Sequence, residues 1–340
     1  MLLLLWACDA SSPGADAPDR HRQQNPADSG VDSGADTAND TAADTATDTA
    51  TDGLLCGDGL ALGAHEECDG TDDSACPTAC SRHCQCPSMP ATGEMTLHVI
   101  DVGQGDGALL VSPDGFTLLM DAGEESAYES IRQLLDSEGI PGLDYTLVSH
   151  QHSDHMGAMD LVLRDHPEVG VAFDGGGRAD TDAFRDYRAA AGDRRTTVVT
   201  GDELDVGPAM LVSVLHASIG DRDNENNNSV VVRLSHGEVS ALVGGDCEFP
   251  SCERAIAPGP TDIYKVHHHG SSDSTSPLLL AQLVPSVAII SAGEGNDYGH
   301  PDFSTLQELD QAGVEIWRTD HSGTVTVRGD GSTFTVTASR

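Results

Sequence analysis

His150-Gln151-His152-Ser153-Asp154-His155 places four ionisable side chains within six residues, directly behind the apolar run 145–149. On a tight strand-to-helix turn such side chains can converge only if they ligate something; otherwise they repel one another. Neutral imidazoles with one carboxylate suit zinc or a similar borderline divalent metal. His150 and His152, two residues apart, can serve one ion, while Asp154 and His155 point elsewhere and can serve a second. A chance cluster of surface histidines is the competing reading, and both spacing and position count against it.

The same residue types recur where other apolar runs end. Gly244-Gly245-Asp246 follows the run 239–243, and Lys265-Val266-His267-His268-His269-Gly270-Ser271 follows another. Asp121 closes Leu119-Met120-Asp121-Ala122-Gly123, and Asp101-Val102-Gly103-Gln104-Gly105-Asp106-Gly107 forms a glycine-rich turn. Asn228-Ser229-Val230 and Tyr298-Gly299-His300-Pro301 complete the set. Taken in their order along the chain, the seven motifs resemble the metallo-β-lactamase superfamily. Within it they are similar to the extracellular hydrolase-like domain of the ComEC competence proteins and its free-standing relatives, over roughly residues 95–330.

That resemblance implies an α+β fold, the αββα sandwich, holding two divalent metal ions, Zn2+ with Mn2+ as the alternative. It makes Asp246 the carboxylate shared between the metals and draws a further histidine ligand from His268 or His269, with His268 placed ahead. His267 stands where relatives carry another residue. Asp121 would orient a ligating histidine through a hydrogen bond. Asp101, Gln104 and Asp106 would lie under the site, or merely form the turn. His300 would hydrogen-bond a phosphoryl oxygen or protonate a leaving group, or cap its loop. Many superfamily members supply a third histidine for the first metal ahead of the bridging aspartate; here that stretch is Asn226-Asn227-Asn228-Ser229. His216 stands nearby without a motif around it. The first site, His150 with His152, is therefore expected to be only partly occupied, and the second, with Asp154, His155, Asp246 and His268, complete.

The chemistry that follows is metal-dependent hydrolysis of a phosphodiester, with Asp154 and Asp246 orienting the attacking water. The ComEC resemblance implies nuclease-type activity on exogenous DNA. Another ester, of phosphorylcholine or lactone type, is the alternative substrate, since one scaffold hosts many chemistries. A metal-stabilised binding or adhesion module without turnover is the alternative outside enzymes. Tyr298, Phe303 and Trp317 are the aromatics available to stack a base.

Positioning these residues takes many strands with interspersed helices. Period-two runs predict strands over 96–102, 108–111, 116–120, 145–149, 210–215, 230–234, 239–243, 263–266, 287–291 and 315–318, closing in a hairpin of 324–328 with 333–337. Tyr128, Ile131, Leu134 and Leu135 recur at helical spacing before Gly139, predicting a helix over 125–138. Helices are also expected over 155–164, 181–190, 275–284 and 303–312. Two sheets with helices outside accommodate this order, in a hydrolase domain covering 95–340.

The chain of 340 residues carries 56 acidic and 17 basic side chains, Lys265 being the single lysine, for a formal charge of −39. Residues 95–340 alone hold 39 acids against 14 bases, a balance of −25. Such a chain cannot grip nucleic acid through a broad basic face. A substrate must instead reach the metals through a local funnel or be a small ester. No run approaches the roughly 20 apolar residues of a membrane-spanning helix.

Leu5-Trp6-Ala7-Cys8 resembles the lipobox of bacterial lipoproteins, which implies a signal remnant over 1–8 and a lipid anchor on Cys8 at the cell envelope or outside the cell. Residues 9–52 hold almost no large apolar side chains and repeat aspartate at every fourth position from Asp28 to Asp52. They read as a disordered, self-repelling linker with a reach on the order of 35–40 Å. Residues 53–87 contain six of the nine cysteines and resemble a cysteine-rich repeat of secreted myxobacterial proteins. A disulfide-stapled module is expected there, with a zinc site as the alternative. Cys247 and Cys252 could form a small disulfide beside Asp246.

Overall fold

Along nearly every strand both phases of the side-chain alternation are apolar, so both faces of each sheet must be covered. The computed structural model describes residues 86–221 and 223–340. The segments expected to be a signal remnant, an acidic linker and a cysteine module lie, apart from Cys86 and Pro87, outside the described residues. The strands are β1 Met95–Val99, β2 Gly107–Val111, β3 Thr117–Ala122, β4 Tyr145–Val148, β5 Val171–Asp174, β6 Arg195–Thr197, β7 Glu203–Leu204, β8 Leu211–His216, β9 Val231–His236, β10 Val239–Val243, β11 Ile263–Lys265, β12 Val287–Ile290, β13 Glu315–Arg318, β14 Val325–Gly329 and β15 Phe334–Ala338. They form an eight-stranded sheet, β15-β14-β1-β2-β3-β4-β5-β6, and a seven-stranded sheet, β13-β12-β11-β10-β9-β8-β7.

Three separate apolar cores define four layers. Leu97, Leu110, Leu118 and Leu147 of the first sheet meet Val212, Val232, Ala241 and Ile289 of the second in the central core. The opposite phase of the first sheet, including Leu109 and Leu119, packs on α1 (Tyr128–Glu138), α3 (Met159–Asp165) and α4 (Asp182–Ala191). The outer phase of the second sheet, Leu242, Tyr264, Ala288 and Ile290, packs on α5 (Ser251–Ala255), α6 (Pro277–Leu283) and α7 (Phe303–Gln311). This is the αββα sandwich, an α+β fold. The short helices α2 (Ser153–Met156) and α8 (Thr319–Ser322) complete it.

Local chemistry sets the ends of the elements. Gly139 closes α1 at φ 67°, Thr181 Oγ1 accepts from Phe184 N at the start of α4, and Ser276 does the same for Leu279 N at the start of α6. The single helix expected over 155–164 is two, α2 and α3, because Gly157 packs where a Cβ would meet Ser153 O at 2.5 Å and Glu125 N at 2.8 Å. Strands β5, β6 and β7 were not expected from the sequence.

β3 and β4 run parallel, as do β10, β11 and β12. Their carboxyl ends carry Asp121, the 149–155 loop, Asp246, the 266–270 loop and Ser291, and it is outside such ends that α/β sheets place their sites.

Candidate metal centre

His155, His269, Asp246 and Asp154 bring four potential ligand atoms within 4.8 Å of one another. His155 Nε2 lies 3.1 Å from Asp246 Oδ1, and His269 Nε2 lies 3.5 Å from that oxygen and 3.3 Å from Asp154 Oδ2. His150, His152 and Asp246 make a second group of the same compactness, with His150 Nε2 3.8 Å from Asp246 Oδ2. His150, His155, Asp246 and His269 are buried and form the floor; Asp154, His268 and His300 are half-buried and His152 is exposed at the rim.

The floor is braced from behind. Asp121 Oδ2 lies 2.9 Å from His155 Nδ1, while the same carboxylate accepts from Ser149 N at 2.7 Å and Ser149 Oγ at 2.6 Å. Asp106 Oδ1 lies 3.2 Å from His269 Nδ1, whose other neighbour is Ser291 O at 3.1 Å. Each imidazole is thereby turned so that Nε2 faces the cluster, the usual carboxylate–histidine arrangement of metal ligands. The buried Lys265 ammonium pairs with Asp106 Oδ2 across 159 residues of sequence. Ser229 Oγ accepts from Asp246 N at 3.0 Å and lies 3.4 Å from His150 Nδ1.

Two glycines let the loops approach this closely. A Cβ on Gly105, at φ 136°, would stand 2.2 Å from Asp154 O, and one on Gly245, at φ 50°, would stand 2.5 Å from Ser149 Oγ. Asp121, His268 and His269 themselves adopt positive φ (56°, 47° and 53°), a costly conformation for side-chain-bearing residues that gathers at functional sites.

The charges are strongly interdependent. Burial pulls the His155 imidazole down, but the Asp246 and Asp121 carboxylates outweigh it and hold it well above the ordinary value. His269 is likewise pushed up to about 9, by Asp246 and Asp106 against burial. Burial raises Asp246, Asp106 and Asp154; the neighbouring histidines, and for Asp106 Lys265 first, hold all three below the usual carboxylate range. Burial, reinforced by His155, holds His150 well below its ordinary value, and burial keeps Asp121 raised.

A divalent ion fits this donor set. His155 Nε2, His269 Nε2 and Asp246 Oδ1 are sealed from solvent and make no hydrogen bond. Leaving such atoms unmet costs about 1–3 kcal/mol each. Nitrogen and carboxylate oxygen converging in this way match zinc or a similar metal.

The order of preference between the paired histidines is corrected. His269 joins Asp154, His155 and Asp246, whereas His268 turns toward Asp246 Oδ2, at 3.6 Å, and Glu248 Oε1, at 3.1 Å. Asp101 stands outside the clusters: its carboxylate pairs with Arg340 and accepts from Gly103 N at 3.4 Å. Gln104 Oε1 accepts from Gly293 N at 3.2 Å. His216 Nδ1 is engaged by Ser229 O at 2.8 Å and belongs to none of the ligand groups among the described residues. His267 is buried beneath Gly244, near Glu253. His300 lies over the rim, its ring 5.5 Å from His268 and 6.2 Å from His269, with Tyr298 stacked on its outer side at 5.8 Å. Burial, then the neighbouring histidines, holds His300 below its ordinary value. Trp317 packs against the central core instead of facing the site. Glu248 and Ser149 had no motif to single them out for these roles, and Ser229, though inside the Asn228-Ser229-Val230 motif, had no role assigned to it. The expected disulfide is present, Cys247–Cys252, one residue beyond Asp246.

The family model of the metallo-beta-lactamase superfamily matches residues 100–294. The chain belongs to that superfamily. Among curated relatives, ComE operon protein 3 of Bacillus subtilis is 30% identical over 71% of the chain and 34% of its own length. Recombination protein 2 of Haemophilus influenzae is 32% identical over 67% of the chain and 28% of its own length. Competence protein ComA of Neisseria gonorrhoeae is 28% identical over 70% and 33% respectively. The chain thus spans about a third of the length of these relatives. No helix among the described residues is long and apolar enough to cross a membrane.

Proposed function

We propose that this protein is a metal-dependent phosphodiesterase that hydrolyses its substrate with water activated between two divalent cations. The observation that carries the reading is the set of sealed, unpartnered atoms on His155, His269 and Asp246, facing Asp154 on one side and the His150–His152 pair on the other. His155, His269, Asp154 and Asp246 would hold one ion, and His150, His152 and the other oxygen of Asp246 the second. Bound there, such ions supply Lewis acidity and bring an attacking water toward ionisation near neutral pH. Asp154, half-buried at the edge of the cluster, and Asp246, between the two groups, would orient that water. His300, across the mouth, is placed to hydrogen-bond a phosphoryl oxygen or to pass a proton to the leaving group.

Relatives named for competence and recombination point to nucleic acid as the source of the phosphodiester. Most arginines of the described residues are committed elsewhere: Arg195 to Asp174, Arg318 to Asp320, Arg340 to Asp101, and Arg194 and Arg233 to backbone carbonyls. With no cationic track among the described residues to follow a polyanion, bound cations would have to meet the substrate charge, which favours a chain end or a small diester over a duplex. The lipid anchor expected on Cys8 would keep the enzyme at the envelope surface, where radiolabelled palmitate incorporation and its loss in Cys8→Ala test the attachment.

Turnover of bis(p-nitrophenyl) phosphate by the metal-loaded chain, compared with a phosphomonoester and a lactone, is the direct test. Wild-type protein should cleave the diester best, and Asp246→Ala and His155→Ala should each lose at least about 10³-fold in kcat/KM. Bound metal with no turnover of any ester would replace this reading with the binding module; preference for the lactone would replace the substrate.

A further inference from the structure

The first metal site lacks the third histidine that many superfamily members take from the chain ahead of the bridging aspartate, and the Asn226–Ser229 stretch stands there instead. Asp246 divides the centre in two. Its Oδ1 faces His155 Nε2 at 3.1 Å and His269 Nε2 at 3.5 Å, while its Oδ2 faces His150 Nε2 at 3.8 Å and His268 Nε2 at 3.6 Å. Adjacent residues of one chain thus address opposite oxygens of the same carboxylate. The successive positive φ values of His268 and His269 produce this, swinging one ring to each side.

We infer that His268 is the third histidine of the first metal site, completing His150, His152 and Asp246, and that Glu248 is its positioning residue. The inference rests on the two-metal reading above. Glu248 Oε1 lies 3.1 Å from His268 Nδ1, leaving Nε2 as the free donor toward Asp246 Oδ2. That is the relation Asp121 bears to His155 and Asp106 to His269, so these three inward histidines each have a carboxylate beside Nδ1, whereas His150 Nδ1 meets the hydroxyls of Ser149 at 3.1 Å and Ser229 at 3.4 Å. The asparagine loop supplies the rest: Asn226 Nδ2 donates to Glu248 Oε1 at 2.7 Å and Asn224 Nδ2 to Oε2 at 2.5 Å. His268 N donates to Gly245 O at 3.0 Å, tying the two loops together. The stretch that fails to provide a ligand therefore holds the carboxylate that aims one in from another loop.

Metal content and affinity test this without reference to turnover. Metal-free protein is titrated with Zn2+ by calorimetry and with Mn2+ by electron paramagnetic resonance. The wild type should bind about two ions per chain and show a coupled Mn2+ pair. His268→Ala should bind about one, with the coupled signal replaced by that of an isolated ion and the remaining affinity unchanged; that retained affinity also shows the fold to be intact. His269→Ala should instead lose the site containing Asp154 and His155. Glu248→Gln should keep both sites and weaken only the first, by about 10–100-fold. Two ions of unaltered affinity in His268→Ala overturn the inference and leave the hydrolase standing. A wild type that binds one ion, unaffected by His268→Ala, overturns it as well. A wild type that binds none overturns the two-metal reading itself.

Discussion

Lys265 is a buried cation in a strongly acidic protein, and its partner Asp106 braces His269, a candidate metal ligand. Removing the ammonium leaves a sealed carboxylate without a counter-charge, which typically costs about 3–5 kcal/mol. Lys265→Met should therefore lower the urea midpoint of the metal-free protein by an amount of that order and weaken the ion held by His269, read by calorimetry. His98 is a second buried group, 2.9 Å from Thr326 Oγ1. Burial, then the Arg328 guanidinium, pulls it down from 6.5 to about 4. The unfolded chain takes up this proton near pH 6.5 and the folded chain only near 4, so between them the unfolded state binds more protons. The contribution is complete above 6.5 and is lost as pH falls through that window, on the order of 3 kcal/mol in all. Urea unfolding of His98→Gln across this range should show a shallower loss than the wild type; parallel curves would remove the argument.

At the scale of elements, the decisive contacts are between loops that leave different strands. Asp106 N donates to Asp154 O at 3.0 Å, and Gly105 beside it has no room for a Cβ. Gly105→Ala must push the glycine-rich turn away from the Asp154 backbone, for roughly 2–3 kcal/mol of stability. Because Asp154 moves with it, kcat should fall as well. Gly139, at φ 67° with open space around it, provides the control. Gly139→Ala should cost about 1–2 kcal/mol through its backbone alone and leave kcat untouched. Equal effects of the two substitutions on turnover would contradict the close approach as the positioning device. The elements that escaped sequence reading have a related explanation. β5 is four residues, β6 three and β7 two, too short for a period to declare itself, and they are held by neighbours distant in sequence.

For the whole molecule, charge is the governing quantity. A net −39 repels a polyanion, and the pull of cations bound at the candidate centre would be local. Screening should therefore help binding: KM for a single-stranded oligonucleotide should fall as NaCl rises from about 50 to about 300 mM, with KM for a small neutral-leaving-group ester changing less. Proteins that bind nucleic acid through cationic surfaces show the opposite slope. An oligonucleotide KM that rises with salt would point to a basic contact surface absent from the described residues.

The histidine loop, the strand that aims it and the apolar alternation that demands two doubly covered sheets are all written locally, within six or seven residues, and local spacing was enough to find them. Asp246 came from the family resemblance instead, since an aspartate after two glycines by itself reads as a turn. What spacing could not resolve is the direction of neighbouring side chains. His268 and His269 are adjacent in the chain and address different oxygens of one carboxylate, because their backbone is held at positive φ by loops packed from elsewhere. Lys265 beneath Asp106, and Glu248 behind His268 with asparagines on its far side, are likewise pairings made by folding. Burial makes them necessary: each inward-facing donor must be aimed and each sealed charge answered, and only the packed tertiary structure decides which distant residue does it.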